Sequence, residues 1–221
     1  MSIINFTVLA VTKTYDKYCI AGIDEDGNWL RPLPPDTSTK FWSNLFYNDN
    51  KKIMVGDVWE IYNHRAELDP NSPGHTEDIR LVDWDSYSLI KKLPNNELLQ
   101  LVSKFQSGET ELSETLQANG RSLCLIDIDS FRQVENLLRI KFTFNGIDYN
   151  NTTQTEGFPI TDLKWRSYIQ QKINTPNTYD SLYLVIGLAR KEPRKDIYKE
   201  YPMAISLITD PEVPVLDSYP N

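Results

Sequence analysis

Three groups of residues set an aromatic ring beside a cation, a pairing that can grip a nucleic-acid strand, and a fourth is a basic run. They are Trp29 with Arg31, Lys40 with Trp42, the run Lys164-Trp165-Arg166, and the basic segment carrying Arg190, Lys191, Arg194 and Lys195. A ring offers a face on which any base can stack, and a guanidinium or ammonium neutralises phosphate. Trp29 and Arg31 are two residues apart and so share one face of a strand. Each group also has an ordinary structural use. Large aromatics fill cores, an arginine near the acidic turn 24–26 or another neighbour forms an ion pair, and a short charge run is often a solvated loop.

His75-Thr-Glu77-Asp78 places an imidazole beside two carboxylates. A hydrolase would need such a base together with a nucleophile and an oxyanion site. A metal centre needs three or four converging ligands, and His64 and His75 are the chain's two histidines. Consecutive strand residues alternate faces, so the run is expected as a turn with a surface histidine. Neither a glycine-rich phosphate loop nor a Gly-x-Ser-x-Gly elbow is present. No catalytic residue, metal or cofactor is assigned, and the chain is read as non-enzymatic.

These groups must be held by a body that composition constrains. The 221 residues are 40% apolar and 11% aromatic, enough for a real core in one large or two small domains. A net charge of −8 argues against a generic DNA coat, whose affinity comes from neutralising phosphates, but it allows a local basic groove. No apolar run approaches the ~20 residues that span a bilayer, and the N-terminus lacks a basic start and a cleavage site, so a cytoplasmic protein without membrane contact is expected. Cys19 and Cys124 lie in apolar runs and read as buried reduced thiols.

Phe6–Val11, Tyr18–Ile23 and the strand after Gly27 form an opening meander, with Asp26-Gly27 as the hairpin turn. The stretch 36–52, with Phe41, Trp42, Phe46 and Tyr47, reads as a long loop or a short helix laid over this sheet. Asp57–Asn63 alternates as a strand, and Ile79–Trp84 suggests another. Pro94 opens a helix through Phe105, capped by Asn95 or Asn96. The polar stretch 107–120 is expected to contribute little core. Ser122–Ile128, Leu138–Phe144 with an Asn145-Gly146 turn, and Ser181–Leu188 are the strands of the second half, followed by Tyr201–Thr209. Between them Thr161 or Asp162 caps a helix on LKWRSYIQQKI. The fold class is mainly β: two tandem OB-like small barrels with one or two short helices and long loops. The expected division is a first domain at 1–106, a connecting segment at 107–120, a second domain at 121–213 and a tail at 214–221.

Lys17-x-Cys19-Ile-Ala-Gly22-x-Asp24-x-x-Gly27-x-Trp29-Leu-Arg31-Pro32 resembles the opening signature of the prokaryotic dual OB-containing domain family. Phe158-Pro-Ile-Thr-Asp162-Leu-Lys-Trp165 and Gly187-Leu-Ala-Arg190 resemble its second-half motifs, and the likeness runs over roughly residues 3 to 209. The resemblance implies two OB-like barrels, similar to nucleic-acid-binding modules of bacterial defence and DNA modification, with no catalytic residues. The expected partner is single-stranded DNA or RNA, with a protein of the same system as a further possibility. The alternatives are an adaptor that recruits an effector, or an enzyme or small-ligand sensor built on His75, Glu77 and Asp78.

Overall fold

The computed structural model describes residues 3–14, 16–47, 49–135, 137–152, 155–190 and 200–216. The first half holds β1 (Ile4–Thr14), β2 (Lys17–Ile23), β3 (Trp29–Leu33), β4 (Asp57–Ile61), β5 (His64–Ala66), β6 (Asp78–Leu81) and β7 (Tyr87–Lys92). Helices α1 (Asn95–Lys104) and α2 (Glu109–Leu116) follow. The second half holds β8 (Leu123–Asp127), β9 (Ser130–Gln133), β10 (Arg139–Phe144), β11 (Ile147–Tyr149), β12 (Phe158–Pro159), α3 (Leu163–Gln171), β13 (Ser181–Leu188) and β14 (Pro202–Asp210). The fold is mainly β and OB-like, as expected. None of the described helices is long and apolar enough to cross a membrane.

The first seven strands make one curled sheet in the order β5-β6-β3-β2-β1-β4-β7. β1 is its hub, pairing β4 through Ile4–Thr7 and β2 through Thr7–Thr14, with a bulge between Val8 and Ala10. The bulge inserts a residue and so resets which face each side chain takes. Phe6, Val8 and Val11 enter the core of the first half, whereas Leu9 and Ala10 turn to the opposite side. Gly22 permits the close approach of β2 to β1, because a Cβ there would stand 1.9 Å from the Thr7 carbonyl oxygen. The turn after β2 is tied by Asp24, whose carboxylate accepts from the backbone N–H groups of Asp26 and Asn28, and Gly27 takes φ +84°.

The second half contains the sheet β14-β13-β8 and a separate sheet in which β10 pairs β9, β11 and β12. Both faces of the first of these are buried. Leu184 and Ile186 of β13 and Cys124 and Ile126 of β8 enter the second half's own core, while Tyr183, Val185, Leu123 and Leu125 face Leu9, Ala10, Ala21 and Ile23 of the first half. Burial on both faces explains why these strands read as continuous apolar runs instead of alternating ones. The two OB-like halves therefore share a third core.

Four local expectations are corrected. The segment 107–120 carries α2, and its Leu112 and Thr115 are fully packed because the helix lies against β8 and β13. The described residues thus hold three helices. Helix α1 takes Pro94 as its N-cap, without a side-chain cap, and Asn95 instead donates to the Thr209 carbonyl. The stretch from 213 to 216 is docked: Val213 is buried, and the Tyr168 hydroxyl donates to the Pro214 carbonyl at 2.8 Å. By contrast Asp162 caps α3 as its sequence suggested, accepting from the Trp165 N–H at 3.1 Å.

Candidate functional site

The signature residues of both halves meet at one place. β3 and β6 pair in parallel, with Arg31 opposite Asp78, so the Arg31 side chain reaches the His75–Asp78 segment. From the second half, the Leu188 N–H donates to the Ser122 carbonyl and the Ala189 N–H to the Tyr201 carbonyl, which holds Arg190 at the end of β13 against the same cluster. Arg190 spans the halves, its Nη2 2.6 Å and 2.7 Å from the two Asp78 carboxylate oxygens and its Nη1 3.1 Å from Asp69 Oδ2. Arg31 donates to Ser122 Oγ at 3.0 Å, lies 2.9 Å from Glu77 Oε1 and donates to His75 Nδ1. Ser122 in turn donates to Glu77, and Lys40 pairs with Asp69 at 2.9 Å.

His75 is 1% exposed and Asp78 1%, so the expected surface turn is overturned. The reason is non-local: parallel pairing across 47 positions brings Arg31 to these groups, and its charge makes their burial tolerable. Burial, and then the charges of Arg31, Arg190 and Lys40, drive the His75 pKa far below its ordinary value, so the ring is neutral. Because Nδ1 accepts a hydrogen bond from Arg31, the ring's own hydrogen sits on Nε2. Burial works against the Arg31 charge, but Glu77 and Asp78 outweigh it and its pKa moves up. Burial pushes the Asp78 and Glu200 carboxyls up.

Ligand atoms of His75, Glu77 and Asp78 lie within 4.8 Å of one another, close enough for a metal. The Arg31 guanidinium, however, already faces all three as their cation. The donor set fits an arginine better than a metal ion.

Beside this network lies a cavity of about 420 Å³. Cys19, Ala21 and Arg31 line it from the opening signature, Thr161 from the middle motif, and Gly187 to Arg190 from the last. Phe41 and Tyr201 contribute rings, Met203 and Ile205 apolar surface, and Lys13 a cation. Thr161 is fixed between the halves: its N–H donates to the Ala204 carbonyl, and its own carbonyl accepts from the Lys13 N–H at 2.9 Å.

The remaining candidate residues are scattered. Trp42 and Trp165 are 3% and 2% exposed, and each indole N–H is used internally, on the Pro32 and Leu207 carbonyls. Their expected role as stacking platforms is therefore corrected to core packing. Trp29 packs, partly buried, against the shared core. Lys164 lies over the Trp165 ring at 5.9 Å, and burial lowers its pKa; Arg166 donates to the Ile160 carbonyl at 3.2 Å. Arg31 forms its ion pairs with Glu77 and Asp78, not with the turn 24–26. Lys191, Arg194 and Lys195 lie outside the described residues. Sequence reasoning missed Asp69, Ser122, Glu200 and the cavity's Thr161, Tyr201 and Met203. The one available signal was that two quoted motifs each carry an arginine at or next to their end, Arg31 and Arg190, 159 positions apart.

No curated protein matches the chain. Among solved structures, the crystal structure of the tetrameric p202 HIN2 aligns at 13% identity and TM-score 0.30, covering 94% of this chain and 91% of that one. The model of the dual OB-containing domain matches residues 4–201, nearly the whole chain. The chain belongs to the dual OB-containing domain family.

Proposed function

We propose that this protein is a non-enzymatic nucleic-acid-binding module that takes single-stranded or otherwise accessible strands, in the cytoplasm, as part of a bacterial defence or DNA-processing system. The observation that carries this reading is the convergence of motifs from both OB-like halves on one ring-lined cavity. OB-type barrels commonly bind strands with aromatic platforms and a basic track. Phe41 and Tyr201 take the place of the buried tryptophans as the rings that line the site. Phosphate contacts fall to Lys13 at the cavity, to Lys164 and Arg166, and to the basic sequence run with Lys191, Arg194 and Lys195. On a body of charge −8 such contacts act locally.

The test is fluorescence polarisation with labelled single-stranded DNA, duplex DNA and single-stranded RNA at low and high salt. The triple variant Lys191→Glu/Arg194→Glu/Lys195→Glu leaves Arg190 to its ion pairs. The reading predicts binding that weakens steeply with salt, and a loss of roughly tenfold or more in the variant. Absence of binding at low salt, or salt-insensitive binding that the variant retains, refutes it.

A further inference from the structure

We infer that the cavity between the halves receives one unstacked nucleobase, an inference that rests on the nucleic-acid reading above. Its volume of about 420 Å³ lies toward the small end of the roughly 300–1,000 Å³ common for small-molecule sites. That suits a base or nucleoside better than a long stretch of strand.

Charge selects against a phosphate inside. The cations Arg31, Arg190 and Lys40 face the carboxyl groups of Asp69, Glu77, Asp78 and Glu200, and His75 is neutral. Among the described residues of this network no cationic excess is left to hold an anion, and a phosphate would meet carboxylates already committed to the guanidiniums. A neutral ring with a donor–acceptor edge meets no such opposition.

Two buried polar atoms of the cavity's lining residues have no hydrogen-bond partner among the described residues: Thr161 Oγ1 and His75 Nε2. Nε2 carries the ring's hydrogen and lies 3.3 Å from Glu200 Oε1 without the geometry of a hydrogen bond. An unpaired buried polar group is costly, so such atoms mark places where a ligand can contribute. Together they offer one fixed donor and one hydroxyl able to give or accept. Phe41, Tyr201 and Met203 supply the flat and apolar surface that a base needs once it leaves its stack. Lys13 lines the same cavity and can meet the phosphate of the nucleotide whose base enters.

The test walks a single abasic residue through a short labelled single strand and measures affinity by polarisation at each position. Calorimetry with the free nucleosides runs in parallel. Met203→Trp fills the cavity, with thermal unfolding as its control, and Thr161→Ala removes the unpaired hydroxyl at little risk to folding. One abasic position is expected to lose about tenfold or more, since stacking and edge contacts of one base carry at least that much. Met203→Trp should impose the same loss on the intact strand and flatten the scan, and Thr161→Ala should weaken binding severalfold. Tight binding with a flat scan in the wild-type protein overturns the base site and leaves the nucleic-acid reading standing. A nucleoside bound by wild type and not by Met203→Trp, with no strand bound, upholds the base site and refutes the strand reading. Binding of neither strand nor nucleoside overturns both.

Discussion

Arg80 and Arg31 occupy neighbouring paired strands and are both buried, yet they are spent very differently. Arg80 meets Glu67 through Nε and Nη2, at 3.2 Å and 2.6 Å, and its Nη1 donates to the carbonyls of Pro34, Asp36 and Thr39. All of these partners belong to the first half, and Arg80 is not among the residues lining the cavity. Arg31 instead joins groups from both halves and forms part of a cavity wall where polar atoms stand unpaired. Burial of an arginine alone therefore says little about function. What separates the two is whether the surroundings are complete.

The sharpest way to break this contrast is Arg80→Ala. It strands the Glu67 charge and three carbonyls and is expected to cost about 3–5 kcal/mol, the range for removing one partner of a buried pair. Chemical denaturation measures it, and a cost below about 1 kcal/mol would make Arg80 as dispensable as a surface cation. Next is Arg190→Leu, which removes one cationic partner each from Asp78 and Asp69 and cuts a link between the halves. A loss of about 3 kcal/mol is expected, with unfolding monitored separately in each half becoming less coincident. Arg190→Lys keeps the charge without the planar fork and should fall between the wild type and Arg190→Leu.

His75→Gln sharpens the comparison through pH. The folded-state pKa of His75 is depressed below its ordinary 6.5, so below about that pH the unfolded chain binds a proton that the folded chain refuses. Stability from this group is complete above about pH 6.5 and falls on acidification, by up to about 1.4 kcal/mol per pH unit. The wild-type curve between pH 7 and 5 should be steeper than the variant's by that one-proton slope, and equal slopes would mean that His75 is not held neutral. The smallest stability effect belongs to Thr161→Ala, expected within about 0.5 kcal/mol because no hydrogen bond of the described residues is lost.

Much of the architecture was legible because its signals are local. Gly27 and Asn145-Gly146 mark real hairpins, Asp162 caps its helix, and the apolar runs of β1, β8 and β13 are buried strands. Asn95 misled because its side chain serves the distant Thr209 carbonyl, and no local rule reports such a partner. The site was less legible for the same reason. The parallel register of Arg31 with Asp78 and the reach of Arg190 to Asp69 depend on contacts 47 and 121 positions apart. Trp42 and Trp165 carry the residue type that stacking needs, but only packing decides which side of a sheet a ring will face.

Hydrogen–deuterium exchange on the whole protein, with and without a short single strand, tests most directly whether the two halves share one ligand site. Protection is predicted in peptides covering 12–21, 158–163, 185–190 and 200–205, drawn from both halves and all lining or flanking the cavity. Protection confined to one half, or centred on β9–β11 with the cavity strands unchanged, would contradict the account.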